Sequence, residues 1–252
     1  MKDSATMLRR NLLHAVRYPS MTVSVIAVPV IFLLLFVYVL GGTLDAGLAG
    51  PGSYVDYLAP GILIMAAAAS GGSTSVAVCV DMTEGIINRF RTMAISRAAV
   101  LTGHVLGNLL VTLLSLVVVT GVALLVGFRP TAGFTDWVAA TGLLTLLVFA
   151  ITWLSVGFGL MSKGPEAASN VVLPMQLLPF IGSAFVPTDS MPVGLRWFAE
   201  NQPFTPIIET LRGLLLGTPI GSSGPLAVAW CVVIAGLGYL WSRTLFNREP
   251  AN

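Results

Sequence analysis

Six long apolar runs divide this chain, and its polar residues collect between them. The runs are Met21 to Leu40, Leu58 to Val80, Val105 to Phe128, Trp137 to Met161, Ala168 to Val186 and Pro225 to Phe246. Each is close to the roughly 20 residues that a helix needs to cross a hydrocarbon core about 30 Å thick. The pattern therefore predicts six membrane-spanning helices. Pro174 and Pro179 interrupt the fifth run. Proline removes a backbone donor and kinks a helix, which membranes tolerate where neighbours satisfy the freed carbonyl.

Two further stretches carry helical signals without being spans. In residues 1–20, Leu8, Leu12 and Val16 recur at helical spacing while Arg9, Arg10 and Arg17 fall elsewhere on the wheel. This predicts an interfacial helix along one leaflet, its basic side on anionic headgroups. A plain basic anchor accounts for the same residues. In residues 187–217, Trp197, Phe198, Phe204, Ile207 and Ile208 are mixed with isolated charges. Ile207 to Leu216 is too short to span, and Pro203 and Pro206 give it a defined start. A re-entrant helical hairpin dipping into the outer leaflet fits this stretch better than a solvated loop. Glu209 and Arg212, three apart, can pair on one helix face.

Composition names the solvent. The 252 residues are 56% hydrophobic and only 10% charged, with a mean hydropathy of +0.88. Soluble domains carry about 25% charged residues, so lipid must surround most of this chain. The expected architecture is an all-α polytopic membrane protein forming one domain over residues 1–252. It comprises spans one to five within 21–186, the hairpin at 187–217 and the sixth span at 225–246, with no room for a soluble catalytic domain. Cys79 and Cys231 lie inside apolar runs as small hydrophobes, and no disulfide framework or metal spacing is present. The N-terminus does not read as a signal peptide, because its first apolar run is too long.

Lysine and arginine are distributed unevenly. Ten of them (Lys2, Arg9, Arg10, Arg17, Arg89, Arg91, Arg97, Lys163, Arg243 and Arg248) fall on one side of the predicted spans. Three (Arg129, Arg196 and Arg212) fall on the other, with Asp45, Asp56, Asp136, Asp189, Glu200 and Glu209. The positive-inside bias places both termini and the loop between the second and third spans in the cytoplasm.

That loop, DMTEGIINRFRTMAISRAAVLTGH from Asp81 to His104, is a charged island in a chain almost free of charge. It reads as a short amphipathic helix that something outside the membrane can grip. No Asp, Glu, Lys or Arg is placed well inside a span, whereas ion-driven carriers generally need one there. Nor does the chain hold a P-loop, since neither Lys2 nor Lys163 follows the required glycine. An external ATPase pushing on the Asp81–His104 helix reconciles both facts.

Three segments resemble one family. GIINRFRTMAISR (Gly85 to Arg97) resembles the cytoplasmic loop of ABC-2 type exporter permeases of the daunorubicin-resistance class, NQPFTPIIETLRG (Asn201 to Gly213) their segment after the fifth span, and YLAPG (Tyr57 to Gly61) the start of their second span. The likeness runs over nearly the whole chain in order and spacing; Ala94 departs from it, where the family usually has proline. The resemblance implies a membrane subunit of an ATP-driven exporter in a bacterial plasma membrane. Two copies would form the pore, and a separate ABC ATPase would bind ATP and magnesium. This chain itself would carry no cofactor, catalytic residue or nucleic-acid partner. The resemblance also makes residues 81–104 the coupling helix, with Asp81, Glu84, Gly85, Arg89, Phe90, Arg91, Met93 and Arg97 as its candidate contacts. Phe90 and Met93 can fill an apolar pocket while the arginines pair with carboxylates at its rim; alternatively, the arginines only set topology. Asn201, Pro203, Thr205, Pro206, Glu209 and Arg212 become re-entrant or gating residues, unless Glu209 and Arg212 merely neutralise each other.

In the second span, Ala66 to Ser75 reads AAAASGGSTS. Small residues let helices approach closely in lipid, so this run serves tight packing or, through Ser70, Ser73 and Thr74, a mildly polar substrate path. Phe149, Trp153 and Phe158 read as core or lipid-facing, and His14 and His104 as ordinary interfacial side chains. The expected function is export of a hydrophobic or amphipathic drug, natural product or lipid. The rivals are a lipid-linked glycan exporter and a passive channel or scaffold. An intramembrane enzyme is disfavoured, because no nucleophile–base pair or metal cluster exists to serve it.

Overall fold

The computed structural model describes residues 19–41, 54–83 and 97–247, and their regular structure is helical throughout. The expected interfacial helix at 1–20 lies almost wholly outside these residues. So do residues 84–96, the middle of the expected coupling helix.

Helix α1 (Pro19–Leu35) continues into a π-helical turn at Phe36–Leu40. Three long helices follow: α2 (Tyr54–Thr83), α3 (Arg97–Val126) and α4 (Phe134–Met161). Two short helices, α5 (Pro165–Asn170) and α6 (Leu173–Leu177), lead into a 3-10 turn at Leu178–Ile181. After a second 3-10 turn at Thr188–Ser190 come α7 (Val193–Asn201), α8 (Phe204–Leu216) and the long α9 (Ser223–Asn247). Four of these are long and apolar enough to cross a membrane: α2, α4, Leu101–Val126 within α3 and Ser223–Phe246 within α9; Val25–Val39 is a shorter apolar helix.

The expected fifth span differs most. In place of one helix from Ala168 to Val186, the chain forms the broken series α5, α6 and 3-10 turn. Pro165, Pro174 and Pro179 each stand in the first turn of one of these pieces, where a missing N–H does no harm. Each proline therefore begins a new helix rather than kinking an old one. The series still follows α2 along its length. Ser75 Oγ donates to the Ala168 carbonyl at 2.9 Å, and Tyr57 Oη donates to the Ser183 carbonyl at 3.0 Å. Ser75 and Tyr57 are separated by about 27 Å of helix at 1.5 Å rise per residue.

The ends of the expected coupling helix over 81–104 fall within two long helices. Residues up to Thr83 continue α2, and those from Arg97 onward already belong to α3. Leu101 and Val105 explain the early start of α3: they bury in an apolar cluster with Val78, Trp153, Val156 and Phe246.

α2 is the centre of the bundle. It packs against α1, α3, α4, α5, α6 and α8, and 72% of its most apolar window is buried, against 28% for α3 and 17% for α9. The outer helices thus present apolar faces to lipid, while α2 sees mostly protein. Its small residues permit this. A Cβ on Gly61 would lie 2.5 Å from the Ala184 carbonyl oxygen, and one on Gly159 of α4 would lie 2.5 Å from the Ser75 carbonyl oxygen. Backbones meet there without an intervening side chain, the approach that drives helix association in lipid.

Gly61→Val is therefore expected to overpack the α2–Ala184 contact. It should destabilise the fold by about 1–3 kcal/mol, seen as a lower thermal unfolding midpoint in detergent. Gly142→Ala, inside α4 with nothing within 4 Å of the added Cβ, should instead raise the midpoint slightly, since alanine favours a helix interior over glycine by about 0.5–1 kcal/mol.

Candidate functional site

At one end of α2 a buried cation organises the chain. Arg212, on α8, is only 7% exposed. Its Nη1 donates to Glu209 Oε1 at 2.8 Å, and its Nη2 donates to the carbonyls of Ser183 at 2.7 Å and Tyr57 at 3.2 Å. The guanidinium also lies 3.8 Å from the centroid of the Tyr57 ring. A desolvated charge needs partners of this kind, because unpaired burial is prohibitive. The planar fork of arginine reaches several at once and stacks on an aromatic face as well. Glu209 and Arg212 do pair as their spacing suggests, yet the guanidinium also holds α2 and the chain before α7. The YLAPG and NQPFTPIIETLRG segments, far apart in sequence, meet here.

The turn between α7 and α8 is fastened to the broken series. Gln202, 4% exposed, donates through Nε2 to the Leu178 carbonyl at 3.1 Å and to Thr205 Oγ1 at 3.3 Å. Thr205 Oγ1 in turn donates to the Ala199 carbonyl. Pro206 is buried, Pro203 half-buried, and Asn201 is exposed with its Nδ2 donating to the Trp197 carbonyl at 2.7 Å. Nearby, Arg129 N–H donates to Asp56 Oδ1 at 2.8 Å, while the Arg129 guanidinium caps the Leu124 and Phe128 carbonyls at the end of α3.

α7 is amphipathic. Val193, Leu195, Trp197 and Phe198 are exposed. Arg196 bridges Asp189 at 2.5 Å and Glu200 at 2.8 Å. The hydrogen bond to Glu200 and then the Asp189 charge hold its guanidinium pKa above the usual arginine value. This keeps the charge fixed, although exposed pairs contribute little stability.

Mid-bundle, Asn108 on α3 donates through Nδ2 to Thr152 Oγ1 at 2.9 Å and to Ser70 Oγ at 3.5 Å, joining α3 to α4 and α2. Ser70 and Thr74 are buried and Ser73 is exposed. Only Ser73 of the three candidate path residues therefore faces outward; Ser70 serves helix contact.

At the opposite end of α2, Asp81 turns inward. It is 6% exposed, and its Oδ2 meets His104 Nε2 at 2.9 Å. The carboxylate grouped by sequence with the outward coupling contacts thus faces the neighbouring helix in this conformation. Glu84, Gly85, Arg89, Phe90, Arg91 and Met93 lie outside the described residues; of Arg97 only the backbone, at the start of α3, is described.

Sequence reasoning gave no role to Tyr57, Ser183, Gln202 or Asn108, nor to the partnership of His104. Asn108 and Gln202 carried a signal: side-chain amides in apolar surroundings require partners. Ser183 acts through its carbonyl, which no side-chain pattern reveals.

The chain belongs to the ABC-2 type transporter family, whose sequence model matches residues 4–216, ending with α8. It is similar to the daunorubicin resistance ABC transporter permease protein DrrB1 of Streptomyces coeruleorubidus, 28% identical over 214 residues, which is 84% of this chain and 75% of that protein. It is also similar to the probable doxorubicin resistance ABC transporter permease protein DrrC of Mycobacterium tuberculosis, 27% identical over 236 residues, or 88% of this chain and 82% of that protein.

Replacing Arg212 by Met should strand the Ser183 carbonyl, break the tie to Tyr57 on α2 and lower stability by about 3 kcal/mol. Glu209→Gln should lower it by about 1 kcal/mol or less, because the Glu209 side chain is 41% exposed. Unfolding midpoints of the two variants in detergent measure the difference.

Proposed function

We propose that this chain is the membrane-spanning subunit of an ATP-driven exporter, moving a hydrophobic or amphipathic drug-like molecule out of the cell. The observation that carries this reading is the family match over residues 4–216, in a sequence that contains no P-loop of its own. A separate ABC ATPase supplies ATP hydrolysis. Two copies of the chain enclose the pathway, and both termini lie in the cytoplasm, following the lysine and arginine bias. The names of the relatives, which concern daunorubicin and doxorubicin resistance, favour a lipophilic small molecule over a lipid-linked glycan.

The ATPase engages Glu84, Gly85, Arg89, Phe90, Arg91, Met93 and Arg97. Phe90 is the apolar anchor, and the arginines meet carboxylates. At the other end, α7 and α8 form the re-entrant hairpin that closes the outer side. The exposed Trp197 and Phe198 suit the headgroup level, where amphipathic aromatic rings collect. The buried Arg212 suits a hairpin that moves with α2 rather than one that swings freely.

Inverted membrane vesicles should accumulate daunorubicin on ATP addition only when an ABC ATPase that co-purifies with the chain is co-expressed. Full activity from the purified chain alone would overturn the reading. Charge reversal at Arg89 and Arg91 should reduce ATPase co-purification by roughly ten-fold or more while leaving insertion intact, as expected when charged interface groups are made repulsive. Unchanged pull-down would leave those arginines as topological anchors only.

A further inference from the structure

We infer that the Asp81–His104 pair is a positioning strut that makes α2 and α3 respond as one body to a push on the residues between them. The inference rests on the reading of residues 84–96 as the element that meets the ATPase.

Asp81 stands in the last turn of α2, and His104 in the second turn or so of α3. Their Nε2–Oδ2 contact is 2.9 Å, with side chains only 10% and 8% exposed. These two helices are consecutive in the chain, so a displacement of the intervening residues enters both through their ends. The pair lies within a turn or two of those ends, where such a displacement arrives.

The floor beneath cannot hold register alone. Val78, Leu101, Val105, Trp153, Val156 and Phe246 form it, and apolar burial is non-directional. Helices packed only by such contacts can slide past one another, and a further polar tie between α2 and α3, Asn108 Nδ2 to Ser70 Oγ, is long at 3.5 Å. A hydrogen bond between an acid and an imidazole fixes one distance and one angle. α2 is tied comparably to its other neighbours here: Cys79 Sγ donates to the Ser162 carbonyl at 3.5 Å, and Ser75 Oγ to the Ala168 carbonyl at 2.9 Å. Stability gives little reason to keep the pair, since buried polar partners can often be replaced together by apolar residues without loss. A requirement for defined register does give one.

Nitroxide labels at Ala77→Cys on α2 and Leu106→Cys on α3, both exposed positions, report the separation of the two helices by pulsed dipolar spectroscopy. The native cysteines are buried and stay unlabelled. The measurement uses the complex with its co-purified ATPase, diluted with unlabelled chain, in nucleotide-free and vanadate-trapped states. With the pair intact, the separation should be the same in both states. In Asp81→Leu/His104→Leu, with the ATPase still bound, it should shift between states by about 1–2 Å, the scale of helix displacement in switching proteins. His104→Phe, which keeps a ring but removes the donor, should give the same shift if the double variant does not insert. His104→Gln, which keeps an N–H donor, should restore the fixed separation. A fixed separation in the variants that lack the donor, or a state-dependent one in the wild type, overturns the strut. Failure of the wild-type chain to retain any ATPase overturns the coupling reading and the strut with it.

Discussion

The guanidinium of Arg212 is the constraint around which one end of this molecule is arranged. A cation with little access to water must be surrounded by acceptors, and no single helix can supply enough of them. Here they come from three places: Glu209 on the same helix, the Tyr57 carbonyl at the start of α2, and the Ser183 carbonyl between the broken series and α7. Meeting that demand draws the α7–α8 pair onto α2. It brings Ala184 so close to α2 that only glycine fits at position 61. Stacked rings reinforce the corner, with Phe36, Phe180 and Phe185 joining the end of α1 to the same chain.

From that corner α2 runs the length of the bundle, and its composition explains its place. A helix of larger side chains would hold its neighbours apart. The Ala66–Ser75 run instead lets α4, α5 and α6 close around it, with Gly71 against Ser155 and Gly72 against Gln176. Removing side-chain bulk also removes side-chain dispersion, so polar contacts at intervals fix the register that packing leaves loose: Ser70 with Asn108, Ser75 with Ala168, and Asp81 with His104. In lipid, where water offers no competing partner, such contacts recur along helix interfaces.

Much of this was legible before any coordinates. The spans that became α2, α3, α4 and α9 declared themselves because lipid demands long, uninterrupted apolar runs, and the hairpin prolines correctly marked where α8 begins. The fifth run misled because hydropathy does not register backbone donors; Pro174 and Pro179 leave an apolar segment apolar while breaking its hydrogen-bond ladder. Arg212 was placed beside Glu209 on the hairpin, but spacing along one helix does not reveal its other acceptors, the Tyr57 and Ser183 carbonyls. Asp81 was grouped with its charged neighbours in sequence, although its partner is twenty-three residues away. Both gaps have one cause. A charge in a membrane protein is placed by its partners, and partners are a property of the fold.

The two charged sites of α2 therefore differ in kind. At the Tyr57 end, one cation gathers backbone carbonyls from separate segments, and carbonyl positions change only when whole segments move. That end behaves as a fixed corner. At the Asp81 end, a side-chain pair joins α2 to α3 above an apolar floor. A 30-residue helix, about 45 Å long, is thus held at both ends, by backbone carbonyls at one and by a side-chain pair at the other. Close-packed interiors deform little, so a helix held in this way resists compression along its length.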